Sequence, residues 1–218
     1  MQKNYSIIIP IHNEIKSIPI LLESLKTFKE NNNEILIIDD GSTDGSTSLL
    51  KASDYINLIV VDKNSGKGYA VKEGLKKARY NKIIIFDGDM ELKISDISKL
   101  MILHRENGIC CVMGYRFNSL RLIRSNFDWG NFLFTAFFNI IFKANHKDIL
   151  CCAKSFYIDD IKNYKLLSNG FDIDIELSTI LTIKNKNIPH IYLQYKRRTM
   201  KEGKKLQLSD GWIILARI

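Results

Sequence analysis

Two stretches of the sequence decide the fold: EILIIDDGSTDGS at residues 34–46 and IIIFDGD at residues 83–89. In each stretch, a short run of Ile, Leu or Phe leads directly into a loop rich in Asp and Gly. Such runs predict strands buried on both faces, as in parallel sheets covered by helices. Open α/β sheets bind ligands where their strands end. The two acidic loops are therefore expected to form one site at one edge of the sheet.

The second acidic loop is a candidate metal site. Asp87 and Asp89 flank Gly88, and glycine lets the backbone turn tightly enough for two carboxylates to face one divalent ion. Mg²⁺ commonly takes one or two protein carboxylates and fills its other positions with water and substrate phosphate. A two-aspartate site therefore favours a phosphate-bearing substrate over a structural ion. Taken alone, the pattern is also consistent with an ordinary Asp-Gly turn.

The acidic loops belong to a series of motifs in a fixed order: SIIIPIHNE at 6–14, IIDDGSTDGS at 37–46, NSGKG at 64–68 and FDGD at 86–89. The series resembles the inverting family 2 glycosyltransferases of GT-A fold, most closely dolichol-phosphate mannose synthases and related polyprenyl-phosphate glycosyltransferases. The resemblance is close over residues 5–90 and looser to about residue 206. It implies an α/β, Rossmann-like fold with a central, mostly parallel sheet flanked by helices.

Length and composition agree with one domain. A chain of 218 residues with 45% hydrophobic content can bury a full core, and no Pro/Gly/Ser-rich linker divides it. We therefore expect a single GT-A domain over residues 1–218. By the resemblance, residues 1–115 form the nucleotide-sugar-binding half, and residues 116–218 form the acceptor-binding half with a basic C-terminal segment.

The resemblance assigns the nucleotide contacts to the ends of the first two strands. Pro10, His12 and Glu14 would contact the base and ribose, and Asp40 would do the same with Ile38 beside it. The family more often has Tyr at the position of His12, so a stacking contact would be weaker or pH-dependent here.

The loop after Asp40 has a simpler interpretation. Ser42, Thr43 and Asp44 are favoured as caps of the next helix, because their side chains satisfy free N–H groups at helix starts.

The resemblance also assigns residues to the donor diphosphate. Arg116, from Gly-Tyr-Arg at 114–116, would lie near the phosphates, and Lys154 would lie in the cleft. The segment KRRTMKEGKKL at 196–206 departs from the family pattern in its spacing. Arg198 and Lys205 are the residues that best match the pattern, and Arg197 and Lys204 are close competitors. The expected nucleotide-sugar ligands besides those at the strand ends are Lys67, Asp87, Gly88, Arg116, Lys154, Arg198 and Lys205. Mg²⁺ or Mn²⁺ would bind Asp87 and Asp89, and Asp89 is also a predicted catalytic residue.

The acceptor side is expected at GFDIDIEL, residues 170–177. The resemblance makes Asp174 the candidate general base, with Glu176 next. In an extended segment Asp172, Asp174 and Glu176 would share one face, whereas in a helix Asp174 would point away from the other two. The alternative is a helix start made acidic to suit its dipole.

The implied reaction is a single displacement at the anomeric carbon of a UDP- or GDP-linked sugar, with inversion. The acceptor is expected to be a polyprenyl phosphate, and a saccharide hydroxyl in cell-surface glycan synthesis is the alternative. Two other classes remain open: a nucleotidyltransferase, although residues 6–14 lack its Gly-rich loop, and a noncatalytic anionic-ligand or membrane-binding module that uses the net charge of +8. No nucleic-acid partner is expected.

Residues 132–142, FLFTAFFNIIF, raise the question of membrane contact. The stretch is shorter than the roughly 20 apolar residues of a transmembrane helix. Bordered by Arg121, Arg124 and Lys143, it fits a helix lying on a lipid surface, but phenylalanines also pack inside domains. The apolar start at residues 7–9 is interrupted at once by Pro10, so no signal peptide is expected. We predict a protein of the cytoplasm or of the cytoplasmic face of a membrane.

Overall fold

The computed structural model describes residues 4–117, 126–185 and 187–198, with the backbone alone at 126–128. The predicted ligand Lys205 and its competitor Lys204 lie outside these residues, as do Arg121 and Arg124. The strands are β1 (Tyr5–Ile11), β2 (Glu34–Asp40), β3 (Asn57–Val61), β4 (Lys82–Ile85), β5 (Cys111–Tyr115), β6 (Lys154–Tyr157) and β7 (His190–Tyr192). The α-helices are α1 (Ile18–Glu30), α2 (Ser46–Lys51), α3 (Lys67–Lys77), α4 (Asn126–Phe142) and α5 (Ile173–Lys184).

All seven strands form one sheet in the order β3-β2-β1-β4-β6-β5-β7. Strands β1 to β4 are mutually parallel, and β7 is parallel to β5. Only β6 runs antiparallel to its neighbours, β4 and β5. The expected α/β fold with a single, mostly parallel sheet is confirmed, and the sheet runs continuously through both halves of the chain.

The isoleucine-rich strands are buried because both faces of the sheet are covered. Successive side chains of a strand point to opposite faces, so Ile7 and Ile9 pack in the core layer that contains α1. Ile8 and Ile38 pack in the layer that contains α3 and α5. Burying each such side chain contributes roughly 1.5–3 kcal/mol. Ile38, expected beside the nucleotide, therefore lies in the core, where it stabilises the sheet.

Helix α4 has one buried and one exposed face, so the two interpretations of residues 132–142 each describe part of it. Phe138 is fully buried, and Asn131 and Thr135 are buried on the same side. Large apolar side chains are exposed along the other side: Trp129, Phe132, Leu133, Phe137, Ile140 and Ile141. Within the part of the chain that the structure describes, no helix is long and apolar enough to cross a bilayer.

Candidate active site

The site is built where β1, β2 and β4 end, because these parallel strands deliver their following loops to one edge of the sheet. The loop after β4 contains the Asp87-Gly88-Asp89 motif. Gly88 is required there by space: a Cβ atom would lie 2.6 Å from Cγ2 of Ile11. Met90, which directly follows the motif, has a positive φ of 63°. The turn therefore packs tightly against β1 and presents both carboxylates at the sheet edge.

Each carboxylate of this turn has a feature that favours a bound cation. Oδ1 of Asp87 is buried and has no hydrogen-bond partner among the described residues. Burial, and next the charge of Asp87, raise the pKa of Asp89 to about 7. A buried oxygen without a donor is costly, and a divalent cation would satisfy it. The residues thus fit Mg²⁺ or Mn²⁺.

The protein does not supply a complete cage for such an ion. Among residues 4–117, 126–185 and 187–198, no three His, Cys, Asp or Glu side chains are grouped to hold a metal. Further ligands would have to come from water and from a phosphate-bearing substrate, as is usual for Mg²⁺.

Lys67 lies between the donor and acceptor sides of the site. Its Nζ is 2.9 Å from Oδ2 of Asp87 and 2.8 Å from Oδ2 of Asp174, and its side chain is only 10% exposed. Burial disfavours the charged lysine, but the carboxylates of Asp174 and Asp87 hold its pKa well above the ordinary value. The expected nucleotide-sugar ligand is therefore a buried ammonium shared by two carboxylates.

Arg198 joins the C-terminal segment to the loop after β1. Its Nη1 lies 2.8 Å from Oε2 of Glu14 and donates also to the carbonyl oxygen of Asp89, at 3.2 Å. Its backbone N–H donates to Oε1 of Glu91. Two residues expected to contact different parts of a nucleotide sugar, Glu14 and Arg198, are thus in direct contact.

Asp40 and His12 fix the loops around the nucleotide end of the site. The carboxylate of Asp40 accepts the backbone N–H groups of Ser65 at 2.9 Å and Gly66 at 2.7 Å. Nδ1 of His12 lies 2.8 Å from the carbonyl oxygen of Asp40 and must donate to it, which leaves Nε2 to accept from the amide of Asn64. Pro10 is buried in β1, beyond the last residue paired with β4. Asp40 therefore orders the loop before α3 in addition to any nucleotide contact.

The helix-cap interpretation of residues 42–44 needs correction. The N-cap of α2 is Gly45, which has no side chain to accept a capping bond. Ser42 instead accepts the N–H of Asn13, while Thr43 donates its own N–H to the Asn13 side chain. Only Asp44 contacts the helix start, through the N–H of Ser46. These residues tie the loop after β2 to the loop after β1.

Arg116 is held by a residue to which the sequence patterns gave no role. Its Nε and Nη2 lie 2.8 and 2.9 Å from the two carboxylate oxygens of Asp148, which also accepts from Asn131. Burial alone would raise the pKa of Asp148, but the Arg116 guanidinium holds it below the ordinary value. The guanidinium lies over the ring of Tyr195, 5.6 Å from its centroid. Asp148 and Tyr195 thus fix the orientation of Arg116.

Lys154 does not lie in the cleft as expected. It is fully buried in β6, and its ammonium donates to the carbonyl oxygen of Cys151. The segment before β6 contributes Asp148 to the site instead.

The acidic segment on the acceptor side is helical, since α5 begins at Ile173. Glu176 accepts the backbone N–H groups of Leu167 at 2.8 Å and Ser168 at 2.9 Å, so it fixes the preceding loop. Asp174 points elsewhere, as the helical alternative requires, and contacts Lys67. Of the two proposed bases, only Asp174 reaches the side chains around Asp87.

Sequence and structure comparisons identify the relatives of this chain. Residues 6–165 match the model of glycosyl transferase family 2. Glycosyltransferase AglJ of Haloferax volcanii is 30% identical over 217 residues, which is 95% of this chain and 68% of AglJ. Human dolichyl-phosphate beta-glucosyltransferase is 30% identical over 112 residues, which is 45% of this chain and 35% of that protein. An undecaprenyl-phosphate 4-deoxy-4-formamido-L-arabinose transferase of Pectobacterium carotovorum is 34% identical over 45% of this chain and 33% of its own length.

Among solved structures, glucosyl-3-phosphoglycerate synthase of Mycobacterium tuberculosis superposes with a TM-score of 0.76, at 16% identity, over 98% of this chain and 78% of its own. Its complex with Mn²⁺, UDP and glucosyl-3-phosphoglycerate gives a TM-score of 0.71. At this identity the likeness is one of fold. The family model covers most of the chain, and the sheet with its acidic loops has the architecture of the superposed enzyme. The chain therefore belongs to glycosyl transferase family 2 and has the GT-A fold of these enzymes.

Proposed function

We propose that this glycosyltransferase moves a sugar from a UDP- or GDP-linked donor to a polyprenyl phosphate of the dolichyl type, with inversion and with Mg²⁺ or Mn²⁺. The observation that carries the choice of acceptor is the engagement of both candidate bases. Asp174 is paired with Lys67, and Glu176 is bound to two backbone N–H groups. Removal of a proton from a sugar hydroxyl needs an available base, whereas a phosphate acceptor is already ionised.

In this reaction an oxygen of the acceptor phosphate forms a bond to the anomeric carbon, and the bond from that carbon to the donor diphosphate breaks. The second pKa of a phosphate monoester is about 6, so the attacking oxygen carries negative charge near neutral pH. The electron pair of the broken bond leaves with the nucleoside diphosphate. Arg116, Arg198 and Lys67 are the cations of the described site that stabilise the departing charge.

A divalent cation, when bound at Asp87 and Asp89, supplies further positive charge to the diphosphate. Support for metal use comes from the unpartnered oxygen of Asp87 and from the fold neighbour, which was crystallised with Mn²⁺ and UDP. The names of the dolichyl-phosphate and undecaprenyl-phosphate relatives support a lipid-phosphate acceptor.

We also propose that residues 132–142 contact the cytoplasmic face of a membrane, since a polyprenyl chain resides in a bilayer. The exposed side of α4 supports it: Leu133 is 61% exposed and Ile140 is 76% exposed. Lys143 and Lys147, exposed just beyond the helix, would face anionic lipid headgroups.

Family membership favours glycosyl transfer over nucleotidyl transfer and over a noncatalytic module. Transfer to a saccharide hydroxyl is the remaining alternative, and it would require Asp174 to leave Lys67.

The deciding experiment incubates the enzyme and Mn²⁺ with UDP- and GDP-sugars and either a short polyprenyl phosphate or a saccharide acceptor. A glycosylated lipid phosphate that disappears with EDTA is expected. Product formed only on saccharides would overturn the proposed acceptor.

A further inference from the structure

We propose that Lys67 is a positioning residue for the metal ligand Asp87, holding Oδ2 of that carboxylate so that Oδ1 is the oxygen presented to the metal. This inference rests on the proposed metal dependence. It assigns Lys67 a role in addition to the donor contact expected from the family resemblance. The two oxygens of Asp87 differ in the way this role requires: Oδ2 lies 2.9 Å from Nζ of Lys67, and Oδ1 is buried without a partner in the described residues.

The backbone of Lys67 is fixed before its side chain reaches the carboxylates. Lys67 is the first residue of α3, and Gly66 before it has φ of 99°. A Cβ atom on Gly66 would lie 2.3 Å from the carbonyl oxygen of Asn169. The N–H groups of Gly68 and Tyr69 donate to carbonyl oxygens at 169–170. This close packing leaves the start of α3 little freedom to shift.

The side chain of Lys67 is held at its far end by a second carboxylate. Asp174, on the first turn of α5, lies 2.8 Å from Nζ and has a side chain only 8% exposed. The ammonium is therefore fixed from the acceptor side while it contacts Asp87 on the metal side. A residue anchored at both ends can hold Asp87 in one orientation before a metal arrives.

Groups that hydrogen-bond to metal-ligating side chains commonly contribute 10–100-fold to metal affinity or activity. Lys67 also carries a positive charge, which by itself repels a metal ion nearby. The two effects have opposite signs when the lysine is removed. Loss of positioning weakens metal binding, and loss of repulsion tightens it, so a single binding measurement separates them.

The experiment titrates the purified full chain with Mn²⁺ alone and measures free Mn²⁺ by its electron paramagnetic resonance signal. Lys67→Met is expected to weaken Mn²⁺ binding about 10–100-fold. Lys67→Arg, which keeps a cation and several donors, is expected to recover most of the affinity. Lys76→Met on the same helix is the matched control, because Lys76 is 66% exposed and its ion pair in the described part of the chain is with Glu73 of its own helix. It should bind Mn²⁺ like the unaltered protein.

Unchanged or tighter binding by folded Lys67→Met overturns the inference, because Lys67 would then act by repulsion or not at all. If Lys67→Met does not fold, Asp174→Ala takes its place: it removes the second carboxylate that holds Nζ of Lys67 without altering Asp87, and unchanged Mn²⁺ affinity contradicts the role. Absence of Mn²⁺ binding to the unaltered protein, with or without UDP or GDP, would overturn the metal dependence as well. Normal binding in every variant leaves the proposed function intact and removes only the role of Lys67.

Discussion

Arg198 and Glu14 are 184 positions apart in the chain, yet Nη1 of the arginine lies 3.0 and 2.8 Å from the two carboxylate oxygens of the glutamate. Glu14 is buried, and its loop follows β1. The pair therefore brings the C-terminal basic segment to the nucleotide end of the site. When one partner of a charge pair is buried, removal of the other partner strongly destabilises the folded protein.

We expect Arg198→Gln to lower kcat/KM for the sugar donor by about 100-fold, because one cation for the diphosphate is lost and Glu14 loses the guanidinium that pairs with it. Steady-state kinetics at varied donor concentration measures the change. Arg79→Gln is the control, since the Arg79 side chain lies over the Tyr80 ring, away from these loops. A donor kcat/KM within twofold of the unaltered enzyme would remove Arg198 from the donor site.

Asp89→Ala should abolish metal-dependent turnover, with a loss of at least about 100-fold in kcat. The physical reason is that the buried turn at 87–89 would keep only one carboxylate for the ion. Turnover in the presence and absence of EDTA checks this. Asp62→Asn, an exposed aspartate at the end of β3, is the control for loss of charge alone. Full activity of Asp89→Ala without metal would contradict the proposed metal site.

Asp174→Asn distinguishes the two acceptor classes. General-base catalysis contributes about 100–10,000-fold, so that loss in kcat is expected if the acceptor is a hydroxyl. A phosphate acceptor needs no base, and we expect a loss of less than about tenfold there. The measurement is kcat with saturating polyprenyl phosphate, together with its pH profile. A 1,000-fold loss with this acceptor would make Asp174 a true base despite its contact with Lys67.

The sheet and its acidic loops could be predicted because isoleucine runs that end in Asp and Gly have few structural solutions. The sequence could not decide whether residues 170–177 form a strand or a helix, because their alternating apolar and acidic residues also suit a strand. The segment is helical, and residues 173–178 at the start of α5 are buried on all sides, including Asp174 and Glu176. Packing against the rest of the protein determined the helical conformation, and a local sequence pattern gives no information about that packing.

The sequence patterns also did not predict contacts between residues that are far apart in the chain. Asp148 binds Arg116 from 32 positions away, and Lys67 binds Asp174 from 107. Nothing in the spacing of these residues marks the pairing. The same holds for His146, whose ring contacts His190 in β7. The motifs therefore identified the loops of the site, but the structure was needed to find the ion-pair partner of each charged group.

His146 makes stability depend on pH. The hydroxyl of Thr182 donates to the Ser178 carbonyl oxygen, so it can only accept from Nε2 of His146. Nδ1 is then the acceptor for His190, and a proton there would remove that bond. Burial, and next His190, lower the pKa of His146 from 6.5 to about 4. The neutral ring therefore stabilises the fold above pH 6.5, and this stability is lost as the pH falls towards 4.

The expected result is a fall in the free energy of unfolding between pH 6.5 and 4, measured by urea denaturation, of roughly 2 kcal/mol from this residue. His146→Gln should be less stable at pH 7 and should show a flatter decline. His104→Gln, which replaces a half-buried histidine in the turn at 104–109, should keep the slope. An equal slope in His146→Gln and the unaltered protein would show that other groups cause the decline.

The exposed face of α4 predicts binding to anionic lipid. Leu133→Ser combined with Ile140→Ser should weaken co-sedimentation with phosphatidylglycerol vesicles by about 30–1,000-fold, because each lost side chain withdraws roughly 1–2 kcal/mol of apolar burial. The matched control is Ile20→Ser with Ile183→Ser, whose side chains are 60% and 61% exposed on other helices. If burial in lipid is specific to α4, this control keeps its vesicle affinity. Loss of dimers on ultracentrifugation, with vesicle binding unchanged, would instead make this face a contact between two copies of the chain.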